Sequence, residues 1–186
     1  MTAADPSRDP LIDRADAAIG IGHVGQEKAA EVVAAVPESR YRALDWLRTL
    51  ADAGQWRSFE RLAGVALHVH PEGLAEILIS ALASAGSRGE VNVEDLVDML
   101  GELRAPEAVG ALAALLHERR ESDAPFFPLS VKSVQSLAEI GTPEALTVLR
   151  GVATGADWPN PVRWHAAEEL GIEEELGYDE DEMLRP

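Results

Sequence analysis

Apolar residues recur along the chain at the three-to-four spacing of an amphipathic helix. Leu44, Leu47, Leu50 and Ala51 share one helical face, as do Phe59, Leu62, Ala63, Ala66 and Leu67. The spacing returns in Leu74, Ile77, Leu78, Ala81 and Leu82, then in Leu96, Leu100 and Leu103, and again in Val109, Leu112, Leu115 and Leu116. β-Branched residues do not alternate with polar ones over any strand-length run, so the signature of a half-buried strand is missing. Helix starts are marked by capping chemistry. Asp9-Pro10, Thr142-Pro143 and Asn160-Pro161 each set a capping side chain before a proline, whose missing N–H costs nothing in the first turn. Pro37, Pro71 and Pro106 read as first-turn prolines, each followed by a glutamate that suits the positive end of the helix dipole. The pattern predicts an all-α fold of about nine or ten helices, each of roughly 10–16 residues.

The chain also repeats itself. Leu100-Gly101-Glu102-Leu103-Arg104-Ala105-Pro106-Glu107-Ala108 matches Leu137-Ala138-Glu139-Ile140-Gly141-Thr142-Pro143-Glu144-Ala145, 37 residues later. Beyond the turn the apolar positions stay in phase: Val109 with Leu146, Leu112 with Leu149, Leu115 with Val152. A third, partial copy runs from Val162 to Gly171, with Leu170-Gly171 aligned on Leu137-Ala138 at an offset of 33. Two helices per unit and a period of this length suggest hairpins that stack because none can cover its own apolar face.

Val162-Arg163, Ala166-Ala167, Leu170-Gly171 and the recurrent Pro-Glu-Ala turn resemble HEAT-like repeats, in particular the short kind of the phycobilisome lyases. The resemblance is clear over residues 92–176 and degenerate over 25–85. It implies an α-solenoid, a superhelix of stacked antiparallel helix pairs whose second helices line a concave face, and it implies binding rather than catalysis. Glu169 departs from it by standing where the pattern has alanine. The expected organisation is a disordered N-terminus over 1–8, one solenoid over 9–178 with a point of subdivision near 84–91, and an acidic C-terminal tail over 179–186. Gly177 is expected to end the last helix, and the tail to bury little. Residues 84–89 read as a flexible break and Arg119 to Pro125 as a polar loop. Phe126 and Phe127 are expected to tuck into a groove, an exposed pair being the alternative.

Charge narrows the partner. The chain carries 33 acids against 16 bases, a formal net charge of −17. Nine acids and no base lie between Glu168 and Glu182. Such a field repels nucleic-acid phosphates and anionic membranes and attracts basic surfaces. With no cysteine, disulfides and thiolate chemistry are excluded. The first ten residues do not read as a secretory leader, and no apolar run reaches the ~20 residues of a membrane span. A cytoplasmic monomer is the expectation, and the preference for arginine over lysine resembles chains from GC-rich bacteria.

Candidate chemistry is thin. Gly20-Ile21-Gly22-His23-Val24-Gly25 matches a dinucleotide-binding string, but Asp13, Arg14 and Asp16 precede it where a buried strand would be needed, so it reads as a loop between helices. His68 and His70 are two residues apart, which points them in different directions on a helix. No metal, cofactor or catalytic residue is expected. Trp46 is expected in the core, while Trp158 and Trp164, beside Glu173, Glu174, Asp179, Glu180, Asp181 and Glu182, make the candidate contact surface, the alternative being that the two tryptophans cap the core against water. The expected function is therefore a non-enzymatic scaffold or adaptor for another protein with a basic surface. One form of it would be an acidic, immunity-type antagonist. The resemblance alone implies the alternative, a lyase- or chaperone-like activity on a tetrapyrrole-bearing protein.

Overall fold

A computed structural model describes residues 9–88, 91–120 and 124–184, and of 85–88 the backbone alone. The N-terminus expected to be disordered lies outside these residues, as do Gly89 of the expected break, Glu121, Ser122 and Asp123 of the polar loop, and the last two residues of the tail. Among the described residues every regular element is helical: eleven α-helices and one 3-10 turn. The chain divides into two compact units after Asn92.

The first unit holds α1 (Pro10–Ile19), α2 (Gln26–Ala35), α3 (Ser39–Asp52), α4 (Trp56–Val69) and α5 (Leu74–Arg88). Asp9 caps α1 as its sequence requires, Oδ1 accepting the Leu11 N–H at 2.9 Å. Its Oδ2 takes the Trp46 indole N–H at 3.2 Å and pairs with Arg42 at 2.8 Å. The Leu11 bond first, then Trp46 and Arg42, hold this carboxyl below its ordinary pKa. α4 packs against α1, α2 and α3, while α3 packs on α5. Phe59, Ala63 and Ala66 of α4 are fully buried, with Leu62, Val65 and Leu67 nearly so. Trp46, Leu47 and Leu50 of α3 complete the core.

Two expectations in this unit meet the structure. Residues 20–25 do form the loop between α1 and α2. Val24 of that loop is buried over Gly64, where an added Cβ would stand 3.1 Å from the Val24 Cβ. His68 Nε2 donates to the Val24 carbonyl at 3.0 Å, and His70 closes α4 in the left-handed conformation (φ 53°). The expected break is corrected through Arg88, because α5 runs on without interruption. Leu74, Leu78 and Ala81 seat it, and one glycine costs a helix only about 1 kcal/mol.

The second unit holds α6 (Val93–Glu102), a 3-10 turn (Pro106–Ala108), α7 (Val109–Arg119), α8 (Pro128–Ile140), α9 (Pro143–Thr154), α10 (Asn160–Leu170) and the short α11 (Glu180–Met183). α6 packs on α8 and α8 on α10; α7 packs on α8, and α9 on both α8 and α10. The α6–α8 contact is close. Ser136 Oγ donates to the Val97 carbonyl at 2.9 Å, and Lys132 pairs with Asp98. A Cβ on Gly101 would stand 2.8 Å from Ser136 Oγ and 2.9 Å from its Cα, so only glycine fits. Thr142 caps α9 by accepting the Ala145 N–H at 3.2 Å. Asn160 does not cap α10: it is the first helical residue, and its Oδ1 takes an Arg163 N–H at 3.4 Å instead.

The repeat has a structural basis that corrects its third copy. The first helix of each copy is closed by a left-handed residue: Arg104 (φ 49°), Gly141 (φ 64°) and Gly171 (φ 63°). Four residues earlier stand Leu100, Leu137 and Ala167, all fully buried. The Gly141 and Gly171 amides donate to the Leu137 and Ala167 carbonyls respectively. Gly141 and Gly171 are 30 residues apart, so the third copy follows at 30 rather than 33. Leu170, expected at the stacking position, is half-buried and corresponds to Leu103 and Ile140. Leu146 also departs from its expected place. It is 40% exposed, although its partner Val109 is buried.

Candidate interaction surface

Counting back from the three left-handed residues identifies the unit's outward positions. Two residues before each stands a glutamate: Glu102 on α6, Glu139 on α8 and Glu169 on α10, all exposed. Successive packed helices lie about 8–10 Å apart, so these carboxylates form a ladder across α6, α8 and α10. The field of the outer two is felt at the middle one. Glu139 titrates above the ordinary glutamate value, first through burial of its inner atoms and then through Glu102, Asp98 and Glu169, with Arg104 opposing. Glu169 is raised by burial and by Glu168, with His165 opposing. Residues 93–186 contain 20 acids and 7 bases, against 13 and 9 in residues 1–92. The first two rungs were missed because the third copy, aligned on Leu170, put Glu169 out of line with them. Alignment on the helix-ending residue would have found all three.

The acidic C-terminal end is more ordered than a tail. α10 ends at Leu170, not at Gly177, and turns lead to Tyr178. The Tyr178 hydroxyl donates to the Ala153 carbonyl and accepts an Arg163 N–H at 2.7 Å, with the Arg163 guanidinium 5.1 Å from the ring centre. Asp179 then caps α11 by accepting the Glu182 N–H at 3.0 Å, and Met183 is buried with α11 against α10. The expectation that the segment beyond Gly177 buries little is thereby corrected for Tyr178 and Met183. Glu174, Asp179, Glu180, Asp181 and Glu182 are exposed, and Glu173 is half-buried.

The two tryptophans part company. Trp158 is 8% exposed. Its ring lies 4.9 Å from that of His117 and 5.7 Å from the Arg120 guanidinium, which pairs with Asp157 at 2.9 Å. It closes a hollow of about 270 Å³ between α7 and α9, which makes it part of a wall and not a projecting anchor. Trp164 is half-buried and stands seven residues before Gly171, as the fully buried Val97 and Val134 stand before Arg104 and Gly141. The phenylalanine pair is also divided: Phe127 is buried and Phe126 is 76% exposed. Among the described residues no three histidine or acidic side chains gather as a metal site would require, and no helix is long and apolar enough to cross a membrane. No family model, curated protein or solved structure matches the chain.

Proposed function

We propose that the chain is a non-enzymatic protein-binding module whose second unit is a HEAT-like α-solenoid segment and whose partner presents a basic surface. The observation that carries this reading is the ladder of Glu102, Glu139 and Glu169, one rung per copy, in a unit with 20 acids and 7 bases. The packing of α6 on α8 and α8 on α10, with α7 and α9 packed beside them, supports the stacked-pair architecture. Like charges held across packed helices weaken the isolated fold, and a cationic partner relieves them. The acidic end from Glu173 to Glu182 extends the same field and would steer a basic protein before contact. An antagonist of a basic enzyme is one form such a module takes.

The test is capture of partners on the immobilised chain, with Glu102→Gln/Glu139→Gln/Glu169→Gln as control and elution in salt steps. Basic proteins are expected to be retained by the native chain, released as salt rises and lost from the triple variant. A specific partner held equally by both chains at low and high salt overturns the proposal.

A further inference from the structure

The contact between α6 and α8 shows which positions of one helix receive the next. On α6 the Val97 carbonyl accepts the Ser136 hydroxyl, Asp98 pairs with Lys132, and Gly101 lies against Ser136. These residues stand seven, six and three places before Arg104. Their counterparts open along the array. Seven places before the closing residue, Val97 and Val134 are fully buried and Trp164 is half-buried. Three places before it, Gly101 is buried, Ala138 half-buried and Glu168 exposed. A further helix stacks on α6 and on α8, whereas among the described residues α10 is followed only by the single turn of α11. Trp164, His165 and Glu168 thus mark the face on which a next helix would stack. His165 Nδ1 lies 3.3 Å from Glu168 Oε2, which sets both on one side of α10.

We infer that this end face docks a basic helix of the partner protein, received as α6 receives α8. The interface continues a stacking already built twice in the unit, and each occupant of it there is a helix. Charge sets the sign. Lys132 of the incoming α8 meets Asp98 of α6, and a lysine or arginine of the partner helix meets Glu168. A second copy of the chain would bring like carboxylates together at a net charge of −17 on each side. Trp164 is larger than the valines it replaces, so the partner helix lays small residues over the indole, which supplies the anchoring area. The inference rests on the reading that the partner is basic, but it concerns the end of the array and not the row of carboxylates along it.

The probe is the capped peptide acetyl-Lys-Leu-Ala-Ala-Lys-Leu-Ala-Ala-Lys-Leu-Ala-Ala-Lys-Leu-Ala-Ala-amide, a basic helix former, titrated into the full chain in about 0.15 M salt. The indole N–H resonances are followed by NMR, and Trp164→Phe identifies the one concerned. The Trp164 signal is expected to move more than those of Trp46, Trp56 and Trp158. Trp164→Ala should weaken binding about tenfold or more, as for a central aromatic anchor, and Glu168→Lys about fivefold. Circular dichroism checks the fold of Trp164→Ala, and the exposed Glu168 supplies a second variant that leaves packing intact. The peptide with glutamate in place of lysine should not bind, nor should one with proline at two central alanines. An unmoved Trp164 resonance overturns the inference. Equal binding by the proline peptide also overturns it, since no helix is then required. So does binding lost in Glu102→Gln/Glu139→Gln but kept in both Trp164→Ala and Glu168→Lys, an outcome that leaves the proposed function standing. Binding that begins only when the chain is removed from Asp179 onward overturns it too, because that segment would then be the occupant of the face.

Discussion

In the first unit α4 is enclosed by α1, α2 and α3, and charges nearly balance, with 13 acids against 9 bases. In the second, α6, α8 and α10 pack in succession, each closed by a left-handed residue, and acids outnumber bases 20 to 7. Both units bury apolar stripes of the same period, so hydrophobic patterning does not separate them. Nor do the helix endings, since α1, α3 and α4 are followed by Gly20, Gly54 and His70 at positive φ, as α6, α8 and α10 are by Arg104, Gly141 and Gly171. The residue repeated before those endings does. Where each helix stops at the same point relative to its stacking residue, the outward positions also fall in line, and a side chain repeated there becomes a row. In the first unit the residues two before the closures are Ala18, Asp52 and His68, so no row of like charge forms.

The largest expected effect breaks the stack. Leu137→Ala removes a fully buried side chain of α8, the helix packed on both α6 and α10, and should cost about 2–5 kcal/mol in chemical denaturation. Leu170→Ala, at a half-buried position, should cost clearly less; equal losses would restore the offset of 33. Next comes Gly101→Ala. Its Cβ meets the Ser136 backbone, so the helices must part at a cost of about 1–3 kcal/mol, against a near-neutral change at Gly110, where a Cβ meets open space. Tyr178→Phe tests whether the C-terminal end is anchored. Loss of the bond to Ala153 should cost about 0.5–1.5 kcal/mol and speed hydrogen exchange across residues 178–184, and unchanged exchange would make the end a solvated tail.

The smallest effect concerns the ladder. Glu139 titrates above its ordinary value in the folded chain, so between the two values the folded state keeps a proton that the unfolded state has lost. Stability therefore falls as pH rises through that window, and the penalty is complete above it. Glu139→Gln should raise stability near pH 7 by about 0.2–0.5 kcal/mol, since exposed like charges are screened by solvent. The gain should vanish near pH 3, where the carboxyl is protonated in both states. A gain of equal size at both pH values would trace to packing and not to charge.

The all-α class was legible because a period of 3.6 over many turns leaves no competing pattern. Asp9 and Thr142 were legible as caps because the N–H donors they satisfy lie within three residues in sequence. The third copy was misaligned because Leu170 imitates Leu137 locally, while the burial that distinguishes Ala167 comes from the helices packed on α10. Whether Trp158 caps the core or offers a contact was open in the sequence, because its neighbours His117 and Arg120 are some forty residues away, beyond any local pattern. The anchoring of Tyr178 on Ala153 is likewise a tertiary event with no periodic trace. Of the candidate surface, the acid-rich end was readable from composition. The ladder was not, because it depends on where helices stop.

Arg104 and Gly141 close α6 and α8, each at positive φ, and 37 residues separate them. Residues 105–141 therefore begin just after one such closure and end on the next, which makes them a cassette with compatible ends. Splicing a second cassette after Gly141 would extend the array by one helix pair and supply its own closing glycine. The duplicated segment carries Ser136 and Glu139 with it, so each added unit brings a further carboxylate in line with the others. It brings Ala138 where Gly101 stood, however, so the new contact would have to accept a methyl group that the α6–α8 contact refuses. Array length and net charge would grow together, and the tolerance of that one methyl would set whether the array can be lengthened at all.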